Sequence, residues 1–239
     1  MERAHVLAWP ALRTANIEGW LWRHSGGGSQ RANSVSTIDF TGNDPLSAIR
    51  TAEARYKDTP TRFQTFDETS PTDLPGILRA ENYHPGEPTL TLFKRPAPVT
   101  TTEPVEIHDR ATPEWRSLYL SVITPDRRQV NNEILDRIPR PSAFFVYRND
   151  NAVVATALCV IGCGCAVIEC VTTRATHRRQ GAARTLLLAL TQWAAFQAAD
   201  WIGLQVDARN TPALTLYQDL GFVQGAQNTF WTKNPPGHG

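Results

Sequence analysis

Almost no net charge separates the two signs in this sequence: 24 Lys and Arg stand against 23 Asp and Glu, a formal +1 over 239 residues. No global field therefore draws the chain to nucleic acid or to an anionic membrane, and any attraction for anions must come from local clusters such as Arg174, Arg178 and Arg179. An aromatic–basic repeat of the kind that tracks nucleic acid is also missing. No apolar run approaches the roughly 20 residues that span a bilayer. The first twenty residues lack the apolar block and small-residue cleavage site of a secretory signal. A cytoplasmic protein with neither a membrane nor a nucleic-acid partner is expected.

Cysteine is scarce and confined. Cys159, Cys163, Cys165 and Cys170 fall in one short stretch without the paired C-x-x-C knuckles of a zinc site, so reduced thiols in a core are expected and no metal. The familiar phosphate cradles are absent too. There is no G-x-x-x-x-G-K-[ST], and "GCGCAV" from Gly162 has only the first two glycines of G-x-G-x-x-G with no helix after it. Gly26–Gly28 precede no helix start and no lysine, and fit a hairpin tip between two strands.

What is present is enough apolar residue, 41%, for a real core. "RPAPVTTTEP" at 95–104, with three prolines and three threonines, breaks the chain. It implies a first lobe over 1–95, a linker over 96–104 and a second domain over 105–235. In the first lobe "DPLSAIRTAEARYKD" reads as a helix with Asp44 as N-cap and Pro45 at N1. "RFQTFD" reads as a strand, "DLPGILRAENY" as a helix and "PTLTLFKR" as a strand. The second domain reads as a strand at "PVEIHDRA", helices at "TPEWRSLYLSVIT" and "PDRRQVNNEILDRI", and a hairpin turning at 149–151. A strand "CAVIECVTT", a leucine-rich helix, a strand "WIGLQVDA", a helix "TPALTLYQDLG" and a closing strand or hairpin follow. Strands mixed with helices in this order imply an α/β fold, with a mixed sheet covered by helices on both faces.

The stretch "RATHRRQGAARTLLLAL" passes from an arginine-rich loop through Gly181-Ala182-Ala183 into an apolar helix. A helix start exposes unpaired N–H groups and the positive end of the dipole, so the amides of Arg179–Arg184 suit a diphosphate. Gly181 lets the backbone approach, and Arg174, Arg178 or Arg179 offer charge-assisted donors. The plain alternative is an ordinary helix start with solvated arginines. Read on into "LQVDARNTPALTLYQDLGF", the region resembles the cofactor-binding half of the GNAT superfamily of acyl-CoA N-acyltransferases. Arg178, Gly181 and Ala183 match its R/Q-x-x-G-x-G/A signature, and Asn210, Tyr217, Gly221 and Phe222 match its strand-Asn-helix-Tyr-Gly-Phe segment. The match covers Val105 to about Thr232. Ala183 stands where many members have a second glycine, and Ala175 where proline is frequent.

The resemblance implies acetyl-CoA as cosubstrate, with no metal. Val171, Thr172 and Thr173 would bind the pantetheine arm through the main chain, one N–H stabilising the oxyanion. Arg178, Arg179, Gln180, Gly181, Ala182, Ala183 and Arg184 would hold the diphosphate. Asn210 either caps its helix or holds the pantetheine arm. Tyr217 is either a core tyrosine or the acid that protonates the leaving thiolate. Glu169, two residues before Val171 and on one face with it if alternation holds, is a candidate base against the alternative of a solvated edge carboxylate. Asp207 and a relayed water are its rivals, and His108 and His177 read as surface or loop residues. Cys170 leaves a covalent route open.

The first lobe repeats the order strand, helix, strand, helix, but "DFTGNDPLSA" has one glycine and no nearby basic residue. It reads as a degenerate GNAT-like lobe, with Trp20, Trp22, Arg31 and Asn33 as candidates for an acceptor pocket. Two functions follow: an N-acetyltransferase moving an acetyl group to a small-molecule or peptide primary amine in a ternary complex, or a non-catalytic acyl-CoA-binding or regulatory module of the same fold. The acceptor stays open among polyamine, aminoglycoside, amino acid, protein N-terminus and lysine side chain. These residues likewise fix neither acyl chain length nor oligomeric state.

Overall fold

Proline sets the helix starts. The computed structural model describes residues 1–99 and 104–235, so 100–103 of the expected linker lie outside the described residues. In chain order the elements are α1 (Glu2–Ala8), β1 (Arg13–Ile17), β2 (Trp20–His24), β3 (Val35–Ser36), α2 (Pro45–Tyr56), β4 (Thr61–Phe66), α3 (Leu74–Ala80), β5 (His84–Pro85) and β6 (Thr89–Lys94). There follow β7 (Val105–His108), α4 (Pro113–Ser121), α5 (Pro125–Leu135), β8 (Ser142–Asn149), β9 (Ala152–Gly162), β10 (Cys165–Thr173), α6 (Ala182–Phe196), β11 (Trp201–Asp207), α7 (Thr211–Asp219) and β12 (Val223–Lys233). Helices α2, α3, α4, α5 and α7 carry Pro at the first or second position, where its missing N–H costs nothing. Side-chain caps close three of them: Asp44 accepts from Leu46 N at 3.0 Å, Thr112 from Trp115 N at 3.1 Å and Asn210 from Ala213 N at 3.3 Å.

The chain divides into two units. The larger comprises Met1–Pro10, Thr91–Val206 and Asn210–Gly225; the smaller comprises Ala11–Leu90, Asp207–Arg209 and the chain from Ala226. This differs from a cut at residues 96–104 most plainly at the two ends of the chain. The amino-terminal helix α1 joins the larger unit because it packs on β9 and β10. Its Glu2 carboxylate accepts from Thr91 Oγ1, and from Gln205 Nε2 at 2.8 Å. Most of β12 joins the smaller unit, where it pairs antiparallel with β4 from Asn228–Phe66 to Lys233–Thr61.

In the larger unit the strand order is β6-β11-β10-β9-β8-β7. Strands β7 to β10 pair antiparallel, and α6 crosses over to make β10 and β11 parallel. On β8, Phe144 meets Trp115 of α4 with ring centres 5.1 Å apart, and Phe145 meets Trp193 of α6 at 6.0 Å. Consecutive strand residues point to opposite faces, so α4 and α6 cover opposite sides of this sheet.

The smaller unit has the order β1-β2-β3-β4-β12, again with a parallel pair, β3 and β4, joined by a helix, α2. Its core gathers Trp20, Trp22, Val35, Ile49, Tyr56, Phe63, Leu74, Leu78, Tyr83 and Trp231. The sequence reading offers no strand at Arg13–Ile17. It forms by pairing antiparallel with β2 around Glu18 and Gly19, both at positive φ. The two units thus share the order hairpin, strand, helix, parallel strand, helix. In each sheet, the strand beside the second parallel strand follows the other unit's last helix: β6 follows α3 and lies beside β11, and β12 follows α7 and pairs with β4.

Trp20 and Trp22 are core residues rather than pocket walls. Trp20 is fully buried, packs against Phe40 and Phe63, and donates its indole N–H to Ser70 O at 2.8 Å. Asn33 clasps the glycine turn, accepting from Ser25 N and donating to the carbonyls of Gly27 and Ser29. Trp20→Ala should therefore cost about 3–5 kcal/mol of stability, read as a lowered urea midpoint with the far-ultraviolet spectrum retained before the transition.

Candidate active site

Strand β10 breaks its own alternation. Glu169 lies opposite Leu158 and Thr172 opposite Thr156, so three steps on β10 match two on β9, and Cys170 takes φ +56°. This is a β-bulge, and a left-handed non-glycine residue costs roughly 1–2 kcal/mol. The period-2 argument that set Glu169 and Val171 on one face does not cross it. The bulge also ends the parallel ladder: pairs between β10 and β11 run from Cys165–Trp201 to Ile168–Leu204 and stop. No β10–β11 pair follows Ile168–Leu204 among the described residues, and the strand edge at Val171–Thr173 remains for an extended ligand.

Glu169 is 7% exposed, not a solvated edge carboxylate. Tyr217 on α7 is 8% exposed, and its hydroxyl has no hydrogen-bond partner among the described residues. Burial, aided by the Glu169 carboxylate, pushes the Tyr217 phenol up to about 12. Burial, with a smaller contribution from the same carboxylate, raises the Cys159 thiol far above its ordinary value, so Cys159 is a neutral core group. Phe222 packs edge-on against Tyr217, and its N–H donates to Tyr217 O at 3.0 Å, closing α7 at Gly221. Lys94 completes that end, donating to Leu220 O at 2.8 Å.

The loop after β10 is held by Arg174, whose N–H donates to Val154 O at 2.8 Å and whose guanidinium donates to Val153 O at 3.1 and 3.2 Å. Arg174 is thus a clasp on β9 rather than a free phosphate donor. Arg178, Arg179 and Gln180 are exposed, and Arg179 takes φ +61°. Helix α6 starts at Gly181 with φ +87° and no side-chain cap. The first helical N–H groups, from Ala182 to Arg184, therefore have no acceptor within the helix. A Cβ on Gly181 would meet nothing within 4 Å, so the space beside Gly181 is open. Arg184 turns its guanidinium toward Asp219 at 3.4 Å and contributes its backbone to the helix start.

The corresponding helix start in the smaller unit is closed. Asp44 puts its own carboxylate on α2, and a Cβ at Gly42 would collide with the Glu18 carboxylate. Where α6 leaves amides open, α2 carries built-in anions. That fits a lobe unable to hold a diphosphate.

The remaining sequence candidates separate cleanly. Asn210 caps α7 with its Oδ1 and is exposed, which leaves its Nδ2 pointing away from the cap. Asp207 is forked by Arg209 at 2.8 and 3.0 Å, which holds its carboxyl down at about 2 and makes it a weak proton acceptor. His108 pairs with Glu106 and His177 with Thr176, both outside the core. Of the cysteines, Cys159 and Cys165 are buried, Cys163 is exposed in the β9–β10 turn and Cys170 forms the bulge; none of the four is in a disulfide. Among the described residues no group of three or more His, Cys, Asp or Glu side chains is placed to share a metal ion. Nor is any described helix long and apolar enough to cross a membrane.

One group near Glu169 escapes the sequence reading. His5 of α1 is 1% exposed with Nδ1 3.8 Å from the Glu169 carboxylate. Nothing in a short amino-terminal helix signals a contact with a strand so distant along the chain.

The comparisons bear on the family and the fold. The family described as "Probable histone acetyltransferase Rv0428c C-terminal" matches residues 1–230. The chain is 26% identical over 237 residues to the "Uncharacterized N-acetyltransferase YobR" of Bacillus subtilis (strain 168), covering 93% of each. A solved GCN5-related N-acetyltransferase from Kribbella flavida superimposes with a TM-score of 0.69 at 19% identity, over 99% of this chain and 95% of that one. A tandem GNAT protein from the clavulanic acid biosynthesis pathway does so with a TM-score of 0.60 at 12% identity, over 79% and 67%. The two repeated strand-helix-strand units match that tandem architecture. With its uncapped glycine helix start and bulged strand, the chain belongs to the probable histone acetyltransferase Rv0428c C-terminal family, within the GNAT superfamily.

Proposed function

We propose that the protein is an acyl-CoA-dependent N-acetyltransferase that moves an acetyl group from acetyl-CoA to a primary amine by direct attack in a ternary complex. The observation that carries the reading is the open start of α6, where Gly181 leaves backbone N–H groups uncapped beside a strand whose ladder has ended. Such a start binds a diphosphate through amide donors and the helix dipole. Arg178, Arg179 and Gln180 are exposed beside it to add side-chain donors, and Ala182 and Ala183 keep its surface low. The unpaired edge at Val171–Thr173 then takes the pantetheine arm, helped by the Nδ2 of Asn210.

In this account Glu169, buried and adjacent to the bulge, accepts a proton from the acceptor's ammonium group and leaves a neutral amine to attack. The nitrogen forms a bond to the thioester carbonyl carbon, and a β10 main-chain N–H stabilises the oxyanion. The C–S bond breaks as Tyr217 donates its proton to sulfur, and the second proton of the nitrogen restores the phenol. Tyr217 suits this step because its hydroxyl has no competing partner and its proton is held to about 12. Burial raises the Cys159 thiol and makes it a poor nucleophile, so that cysteine offers no covalent route. The family description as a histone acetyltransferase supports an amine as acceptor.

Three outcomes test the reading by thiol release from acetyl-CoA across an amine panel. Tyr217→Phe should lower kcat about 10²-fold or more while calorimetry finds CoA affinity little changed; unchanged turnover would remove the assigned role. Gly181→Glu should abolish CoA binding by placing a carboxylate on the amides, and retained binding would overturn the cradle. Because Tyr217 stays protonated to about 12, the wild-type profile should show no descending limb below about pH 10 that vanishes in Tyr217→Phe.

A further inference from the structure

His5 is buried to 1% exposure, yet neither ring nitrogen has a hydrogen-bond partner. An imidazole in that state loses the hydration of two polar atoms and gains nothing for them, which costs roughly 1–3 kcal/mol per unsatisfied group. Buried orphans of this kind call for an explanation. The geometry limits the options. Nδ1 lies 3.8 Å from a Glu169 carboxylate oxygen, just outside hydrogen-bond reach, and no other ion pair to His5 is formed among the described residues. The helix that carries it is not loosely attached. Glu2, one turn earlier, is bound to Thr91 and Gln205, and Trp9, one turn later, is buried with its ring 6.3 Å from that of Tyr119. The imidazole is thus held from both ends of α1 and aimed at the bulged end of β10.

We propose that His5 is a positioning residue for Glu169: its Nδ1–H donates to the carboxylate and fixes the oxygen that faces the amine. This rests on Glu169 acting as the base in the function proposed above. A shift of under about 1 Å in either side chain brings the pair to the ordinary N–H···O distance, and apo sites commonly tighten by this much when substrate arrives. An imidazole N–H directed at one carboxylate oxygen fixes its orientation while leaving the second oxygen for the amine. The orienting hydrogen bond of an acid–imidazole pair works by the same logic with the roles reversed.

The test compares two substitutions in the full-length protein. His5→Phe keeps the ring's bulk and removes both nitrogens; His5→Asn keeps an amide N–H near the place of Nδ1. With acetyl-CoA and a turnover-supporting amine, His5→Phe should lose about 10- to 100-fold in kcat with the KM for acetyl-CoA unchanged, and His5→Asn should recover much of the loss. Equal activity in His5→Phe and wild type overturns the proposal, and so does an equal loss in both variants. A measurement without a change at His5 guards against misfolding. Ring nitrogen-15 resonances should place the His5 proton on Nδ1 in the wild type and show that preference lost in Glu169→Gln. Ring resonances that ignore Glu169→Gln also overturn it. Wild-type protein that binds CoA but acetylates no amine would instead sink the function itself, while the nitrogen-15 comparison would still decide the His5–Glu169 contact.

Discussion

Backbone groups denied an internal partner are the constraint from which the rest of this molecule follows. A helix whose first residues lack a cap, and a strand that bulges out of its ladder, each leave polar main-chain atoms that must bond to something else. In α6 the defect is built by Gly181, which has no side chain to offer and whose φ of +87° favours glycine. In β10 the bulge at Cys170 lies just beyond the last pair with β11, and the edge left beyond it is Val171–Thr173. The two defects are neighbours in sequence because Thr173 ends one element and α6 begins nine residues later (Thr173 to Ala182). Between them, Arg174 fastens the loop to β9, so the exposed groups sit on a fixed frame.

The smaller unit shows the same topology with the defect repaired. Its crossover helix α2 begins with Asp44, and Glu18 crowds Gly42. Carboxylates supplied by the protein occupy the place an outside anion would take, and a second anion there would meet repulsion as well as lack of space. One fold thus supports an open site and a closed one, and the difference lies in a few residues at a helix start. Function follows the site and not the architecture.

Much of this was legible in the sequence. Asp44-Pro45, Thr112-Pro113 and the Asn210–Pro212 stretch carry their own start signals, and the structure places α2, α4 and α7 there. The Arg178–Ala183 stretch reads as a helix start with an anion site because the chemistry is local. Three things were not legible, each for a non-local reason. The bulge hides in "VIECV", where the apolar run gives no sign that alternation fails. The strand at Arg13–Ile17 depends on a partner, β2, more than on its own residues. Helix α1 contributes His5 to a strand end far along the chain, a contact that only packing creates.

The most direct measurement of the central claim is amide hydrogen exchange with and without acetyl-CoA. The account predicts that binding slows exchange at Ala182, Ala183 and Arg184 and along the Cys170–Thr173 edge, while the start of α2 at Leu46 stays as it was. Exchange at 182–184 that is indifferent to saturating acetyl-CoA would contradict it.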